Sequence, residues 1–296
     1  MIRYTILVVC ALFLGCSQKK NETVAVDEPA FANPISAGKV KGDKIQEASG
    51  LVASIANPGL LWTHNDSGND ADLFLLNGKG EIKCTVHLGD AKNRDWEDIT
   101  IGTGPEEGKN YIYIGEIGDN AAIYNSKFLY RLEEPRIAEG ITDTTIHTVQ
   151  KIEFTLSDGE RDTEALAFDP VSKNFYIFSK RESEVNLYRL AAPLLIDKTM
   201  VAERVLDKLP FTQIVALDIS EDGTEILTKN YDHVYYWKRK PGETIEATLL
   251  SVAIELPYEQ EPQGESIAFA RDKSGYYTIS ERKKGKSQQL FFYKRN

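Results

Sequence analysis

The sequence predicts an all-β fold, a single β-propeller built from five four-stranded blades. Three observations predict it: a short apolar strand opens five times at intervals of 48, 67, 51 and 50 residues, the same strand order follows each opening, and the last repeat stops one strand short. Internal repeats of this length are typical of propeller blades. The five openings, three of which begin with glutamate, are Ser49-Gly50-Leu51, Glu97-Asp98-Ile99, Glu164-Ala165-Leu166, Val215-Ala216-Leu217 and Glu265-Ser266-Ile267.

Residues 1–15 resemble the signal peptide of a bacterial lipoprotein. Arg3 provides the positive start, and the apolar run over residues 6–14 is too short to span a bilayer. Leu14-Gly15-Cys16 resembles a lipobox, which implies that Cys16 becomes the lipid-bearing first residue; a plain signal peptide with a coincidental cysteine is the alternative. A lipid at Cys16 would anchor a soluble domain in the cell envelope, at the outer membrane or periplasmic face of a Gram-negative cell.

Residues 16–33 are polar and without a period, which predicts a flexible tether, so the propeller domain is expected over residues 34–296. The formal net charge of −10 argues against binding to nucleic acid or to anionic lipid. Membrane contact is therefore expected only through the lipid anchor. Because Cys10 would leave with the signal peptide and Cys16 would carry the lipid, Cys84 stands alone and is expected to be a buried packing residue.

Each repeat continues with a second strand rich in β-branched and aromatic residues and a third strand that contains a Leu/Val–aromatic pair. A fourth strand follows in the first four repeats. The five pairs of the third strand are Leu73-Phe74, Leu129-Tyr130, Leu187-Tyr188, Val234-Tyr235 and Leu290-Phe291.

The fifth repeat has no room for a fourth strand, because the chain stops at Asn296. Residues 35–45, ahead of the first repeat, have the length and polar alternation of an outer strand. We expect this strand to pair with the last blade and to close the ring without unpaired edges. The long second interval predicts an insertion around residues 133–143, and a degenerate sixth blade within that insertion is the alternative.

Propeller topology places the repeated glutamates at one mouth of the central channel, because the first strand of each blade is innermost and starts on that face. Crowded carboxylates raise one another's pKa unless a cation lies among them, and oxygen donors of this kind suit Ca²⁺. The sequence therefore predicts a divalent cation held by Glu97, Glu164, Glu265 and Asn65. The alternative is structural: each glutamate accepts backbone N–H bonds or pairs with a basic neighbour.

The loops between second and third strands reach the same face and are unusually polar. Acids and amides come from blades one and two, and bases come mainly from blades three to five, which favours an anionic or polar ligand. Glu164, Glu265 and His64 are the catalytic candidates, and no organic cofactor is expected. The predicted ligand-binding residues are Asn65, Asp66, Asp119, Asn120, Lys180, Arg181, Lys229 and Asn230.

The blade openings carry a resemblance to known proteins. Around Trp96-Glu97-Asp98-Ile99 and Gln263-Gly264-Glu265-Ser266-Ile267, the chain resembles bacterial envelope propellers of the SdiA-regulated and phytase-like groups, and more distantly the gluconolactonase and paraoxonase propellers. The lactonase-like families imply a calcium ion in the channel mouth. Two functions remain open: an envelope lipoprotein that binds a small anionic molecule, a glycan or an envelope protein, or a Ca²⁺-dependent hydrolase of a phosphate ester or lactone.

Overall fold

The computed structural model describes residues 30–284 and 287–296, so the predicted signal peptide, the lipid site at Cys16 and the tether up to residue 29 lie outside the described residues. The described chain is almost entirely β-structure. In chain order its elements are β1 (Ile35–Lys39), β2 (Ala48–Ala53), β3 (Leu60–Asn65), β4 (Asp72–Asn77), β5 (Ile82–Leu88), β6 (Trp96–Thr103), β7 (Asn110–Glu116), β8 (Lys127–Glu133), β9 (Asp143–Ile146), β10 (Gln150–Leu156), β11 (Thr163–Phe168), β12 (Phe175–Ser179), β13 (Val185–Leu190), β14 (Met200–Leu209), β15 (Ala216–Ile219), β16 (Glu225–Lys229), β17 (Val234–Lys238), α1 (Ile245–Leu249), β18 (Ile254–Leu256), β19 (Ser266–Phe269), β20 (Gly275–Ile279) and β21 (Gln289–Lys294).

The described strands form five antiparallel arrays of four, which we number as blades one to five. From the inside outward they are β2-β3-β4-β5, β6-β7-β8-β10, β11-β12-β13-β14, β15-β16-β17-β18 and β19-β20-β21-β1. The innermost strands contact one another in the cyclic order β2, β6, β11, β15, β19 and back to β2. The all-β propeller predicted from the sequence is therefore confirmed.

The insertion in the second repeat forms no blade of its own. Its strand β9 pairs in parallel with β5, with Thr85 opposite Asp143, and so adds a fifth strand to the outer edge of blade one. The outer strands β10 and β14 also pair in parallel, with Phe154 opposite Met200, and join blades two and three. In the described chain the inserted strand β9 thus covers the outer edge of β5, and the outer strands β10 and β14 cover each other.

The ring closes as the sequence predicts, by antiparallel pairing of β1 with β21 that sets Ile35 opposite Phe292. The closing strand is shorter than the predicted stretch over residues 35–45, because it ends at Lys39. Packing also begins earlier than the expected domain boundary at residue 34. Phe31 is fully buried, its ring lies 5.0 Å from that of Tyr276, and its backbone bridges to Arg295.

The core lies between the blades. The described residues form five apolar clusters, and each cluster joins two neighbouring blades. The cluster between blades one and two contains Trp62, Trp96 and the buried free thiol of Cys84, which is the packing role expected for this cysteine. No helix of the described chain is long and apolar enough to cross a membrane.

Side-chain oxygens also join the innermost strands of different blades. The Asp98 carboxylate accepts hydrogen bonds from the backbone N–H of Leu166 at 2.9 Å and of Leu217 at 3.2 Å, in blades three and four. Asp218 accepts one from Phe269 in blade five at 2.7 Å. Inner strands of a propeller lie too far apart to form a continuous ladder, so these side chains satisfy backbone groups that would otherwise lack partners.

Candidate cation site at the channel mouth

A polar cavity of about 240 Å³ opens on the face where the first strands begin. The three repeated glutamates, predicted from topology to share this mouth, all line it. Four further lining residues carry neutral hydrogen-bonding side chains, and two are basic. The lining residues are Asp66, Glu97, Asn120, Glu164, Lys180, Arg181, Gln213, Tyr231, Gln263 and Glu265.

Carboxylates around this cavity form three overlapping groups that could hold a metal ion, with the ligand oxygens of each group within 4.8 Å of one another. Asp66 belongs to two of the groups, and Glu97 also belongs to two. The groups are Asp66 with Asp95 and Glu97, Asp66 with Glu265 and Glu281, and Glu97 with Asp162 and Glu164.

Two of these groups already contain counter-ions. Lys180 Nζ lies 2.6 Å from Oε1 of Glu164 and 3.8 Å from Oε1 of Glu265, which also accepts a hydrogen bond from the Tyr231 hydroxyl. Arg181 Nε lies 2.6 Å from Oδ2 of Asp162. Here the alternative prediction, pairing of the mouth acids with basic neighbours, describes part of the site.

The third group, Asp66 with Asp95 and Glu97, has no basic partner within ion-pair distance among the described residues. Glu97 is only 4% exposed, lines the cavity, and its carboxylate has no hydrogen-bond partner in the described chain. Gly118 makes room for it, since a Cβ at position 118 would lie 2.1 Å from Oε1 of Glu97 and 2.5 Å from Cγ of Asp95. A buried carboxylate without a partner is costly, so this group is suited to a bound cation.

The electrostatics of the mouth support the same assignment. Burial, followed by repulsion from Glu164, raises the pKa of Glu97 well above its ordinary value. Burial is also the main cause that raises the pKa of Asp66 to about 7, with Glu265 and Asp95 adding to it. The same cause raises the pKa of Glu164 to about 8 although Lys180 opposes the shift, and that of Glu281 to about 8. Near neutral pH the mouth therefore takes up protons unless a metal cation replaces them.

Two residues predicted for the site belong to the blade interior. His64 is fully buried, its ring packs edge-on against Trp96 at 5.5 Å, and burial lowers its pKa to about 4, so the ring is neutral and does not line the cavity. The Asn65 side-chain oxygen accepts hydrogen bonds from the backbone N–H of Gln46 and Glu47. Because that oxygen is already used, Asn65 is not among the donors that face the cavity.

Three of the predicted ligand-binding residues also shape the loops instead of lining the cavity. The Asp119 carboxylate accepts hydrogen bonds from the backbone N–H of Ile123 and Tyr124, and Asn230 does the same for its own loop. Lys229 is fully buried and donates to the backbone carbonyl of Gly264. The predicted residues that do line the cavity are Asp66, Asn120, Lys180 and Arg181.

A second tier of residues, two positions before each blade opening, has no counterpart among the predicted site residues. The structure brings Asp95 and Asp162 into carboxylate groups with the repeated glutamates, and Gln213 and Gln263 line the cavity. The tier carries acids in blades one to three and amides in blades four and five. Its constant position, two residues before each blade opening, is the signal in the sequence that could have identified it. Its members are Glu47, Asp95, Asp162, Gln213 and Gln263.

Comparison with known proteins adds little to this picture. No family model and no curated protein matches the sequence. Among solved structures, the chain is similar to the PQQ-bound form of an aldose sugar dehydrogenase from Streptomyces coelicolor, with 9% sequence identity and a TM-score of 0.48 over 90% of this chain and 99% of that chain. A similarity this distant assigns neither an activity nor a ligand to the present chain.

Proposed function

We propose that the chain is a cell-envelope lipoprotein whose channel mouth binds one divalent cation, Ca²⁺, and through it an anionic or polar ligand or partner. The observation that carries this proposal is Glu97: the residue is 4% exposed and lines the cavity, and its carboxylate has no partner among the described residues. A carboxylate buried in this way stays charged only beside a compensating cation, and otherwise it takes up a proton.

The ligand set supports Ca²⁺ in particular. Asp66, Asp95 and Glu97 offer carboxylate oxygens within 4.8 Å of one another. Ca²⁺ lies about 2.3–2.6 Å from its oxygen ligands, so two ligands on opposite sides are up to about 5 Å apart. The group therefore has the dimensions of a calcium site, and Ca²⁺ tolerates its irregular geometry better than Mg²⁺ does.

The rest of the cavity suits a polar ligand. The ion would retain coordination positions toward the cavity, because Ca²⁺ takes 6–8 oxygen ligands. The side chain of Arg181 is 46% exposed and can meet an anionic group beside the ion. Asn120, Gln213, Gln263 and Tyr231 supply neutral hydrogen-bonding groups around it.

The path of the chain is compatible with a lipid anchor at Cys16. Strand β1 runs antiparallel to β21, with Ile35 opposite Phe292 and Lys39 opposite Gln289. Since β21 starts on the face of the mouth, β1 starts on the opposite face. A lipid attached N-terminally would therefore be connected to the propeller at the face opposite the mouth.

Calorimetric titration of the mature protein with Ca²⁺ tests the proposal. We expect one ion per chain and at least tenfold weaker binding in Glu97→Gln. Glu160→Gln is the matched control, because Glu160 is an exposed acid that enters β11 from the same face, and it should bind Ca²⁺ like the wild type. Absence of binding heat together with an unchanged melting temperature would overturn the cation site.

A Ca²⁺-dependent hydrolase is the second candidate, and Glu164 favours it. Its pKa of about 8 lets one carboxyl group of the cavity exchange a proton near neutral pH, as a general acid or base must. The test is turnover of phosphomonoesters and lactones with and without Ca²⁺. Turnover that needs Ca²⁺ and is lost in Glu164→Gln would establish the hydrolase, whereas ligand binding without turnover would favour the binding protein.

A further inference from the structure

The basic residue within the ring of mouth carboxylates occupies a position that a metal ion could take. Lys180 follows β12, and its side chain is only 8% exposed. Its ammonium contacts Glu164 at 2.6 Å and lies 3.8 Å from Glu265, and it lies 5.4 Å from the centre of the Tyr231 ring. It thus bridges two of the three repeated glutamates.

We propose that Lys180 is a built-in counter-ion that limits the mouth to one divalent cation and directs this ion to Asp66, Asp95 and Glu97. The inference rests on the proposed function, because it concerns the same cation. Of the three carboxylate groups, one contains Glu164 and another contains Glu265. The ammonium of Lys180 lies within ion-pair distance of a member of each of these two groups.

The physical reason is electrostatic. An ammonium fixed a few ångströms from a carboxylate pair repels a second positive ion, and in a buried site water screens that repulsion poorly. The group without a basic partner feels this repulsion least. A neutral residue at position 180 would remove the tethered charge and leave Glu164 and Glu265 free to hold a cation of their own.

The experiment measures how many Ca²⁺ ions the full-length protein binds in Lys180→Met, compared with the wild type. We expect the stoichiometry to rise from one to two. Arg161→Gln is the matched control, since it removes one positive charge from the loop that enters β11, and its partners Asp158 and Glu182 belong to none of the three carboxylate groups. It should leave the stoichiometry at one.

The outcomes separate the two proposals. A stoichiometry of one in all three proteins would overturn the role of Lys180 and leave the proposed function intact. No binding in the wild type with binding in Lys180→Met would support the counter-ion role and overturn the proposed function. No binding in any of them would overturn both.

Lys180→Met leaves two buried carboxylates without a counter-ion, so a second variant guards against loss of folding. The double variant Lys180→Met/Glu164→Gln removes both members of the closest ion pair and should return the stoichiometry to one. Thermal unfolding gives an independent measurement. Ca²⁺ should raise the melting temperature of Lys180→Met more than that of the wild type, and an equal rise would count against the proposal.

Discussion

Gly118 is the residue whose identity constrains the mouth most tightly, because its lack of a side chain lets two carboxylates approach the loop that follows β7. A Cβ there would fall well inside van der Waals distance of Glu97 and Asp95. We expect Gly118→Ala to displace Glu97 and to weaken Ca²⁺ binding by roughly tenfold or more, a loss of about 1.4 kcal/mol in binding free energy. Calorimetric titration measures this directly.

The control for that substitution is Gly78→Ala. Among the residues that the structure describes, a Cβ at position 78 would have one close neighbour, the Tyr277 hydroxyl at 3.4 Å, which is an ordinary contact. Gly78 precedes β5, away from the mouth, so its replacement should leave Ca²⁺ affinity unchanged. Equal affinities in the two alanine variants would contradict the role given to Gly118.

The raised carboxyl pKa values also predict how stability and affinity depend on pH. A carboxyl whose pKa is higher in the folded than in the unfolded state stabilises the fold at low pH, and that contribution is lost as pH rises through the folded value. With pKa values of about 7 for Asp66 and about 8 for Glu164 and Glu281, the Ca²⁺-free protein should lose stability between pH 5 and 8.

Calcium should oppose this loss, because it replaces the protons. We expect Ca²⁺ affinity to rise roughly tenfold from pH 6 to pH 8 as Asp66 ionises, and titrations in two buffers of different ionisation enthalpy should show proton release. Melting curves with and without Ca²⁺ at each pH provide the stability measurement. A melting temperature of the Ca²⁺-free protein that rises over this range would contradict the assignment.

The sequence predicts single residues of the site unevenly. Glu97, Glu164 and Glu265 could be placed at one mouth because their register within the repeat is regular and the fold dictates which way that register faces. Their partners could not be predicted. The contact of Lys180 with Glu265 joins blades three and five, which are far apart in the sequence. Glu97 lacks an ion-pair partner because no basic side chain of the described residues lies close enough to it, and the sequence does not show such distances.

At the scale of elements, the hairpins between first and second strands explain why the repeat is so regular. Each hairpin has one residue with positive φ just before its second strand, where a tight turn requires it. Glycine is favoured at such positions, and blades three and five use lysine instead. The residues are Gly59, Gly108, Lys173, Gly223 and Lys273, with φ between 61° and 79°.

The pairing of the inserted strand β9 with β5 could not be predicted from the sequence. The segment of β9 carries little apolar pattern, and its parallel partner β5 lies some 58 residues earlier in the chain, as the pairing of Thr85 with Asp143 shows. By contrast, the missing fourth strand of the last repeat left β1 as the remaining candidate for closure. A gap in a repeat is thus more informative than an addition to it.

Phe31, which precedes the closing strand β1, adds contacts of its own to blades four and five. The ring of Phe31 packs edge-on against Tyr236 and Tyr276, with the Arg295 guanidinium 4.7 Å from its centre. We expect Phe31→Ala to lower the free energy of unfolding by about 3 kcal/mol. Thermal unfolding should show a fall in melting temperature on the order of 10 °C.

Ile35→Ala is the comparison for that variant. Ile35 begins β1, four residues after Phe31, but is 59% exposed, so its truncation should change the melting temperature little. If Phe31→Ala were as stable as Ile35→Ala, the ring would be closed by the pairing of β1 with β21 alone.

At the scale of the whole molecule, one side chain beside the site links three blades around the central channel. Asp98 follows Glu97, and its side chain faces the channel axis, where one carboxylate oxygen accepts hydrogen bonds from blades three and four. The other accepts one from Ile99 within blade two. Two neighbouring residues of β6 thus have different roles. Glu97 offers a carboxylate without a partner at the mouth, and Asp98 uses its carboxylate to bond backbone groups of three blades.

Replacing Asp98 by alanine therefore tests cohesion among blades without removing a proposed cation ligand. Three buried backbone N–H groups would lose their acceptor, and we expect the free energy of unfolding to fall by roughly 3 kcal/mol, measured by urea denaturation of the full chain. Asp98→Asn, which keeps one oxygen, should lose less. Asp218→Ala removes a single inter-blade bond, to Phe269, and should also cost less. Equal destabilisation by Asp98→Ala and Asp218→Ala would contradict the role given to Asp98, because a side chain that links three blades would then stabilise the ring no more than one that links two. The apolar clusters between neighbouring blades would in that case account for the cohesion of the ring.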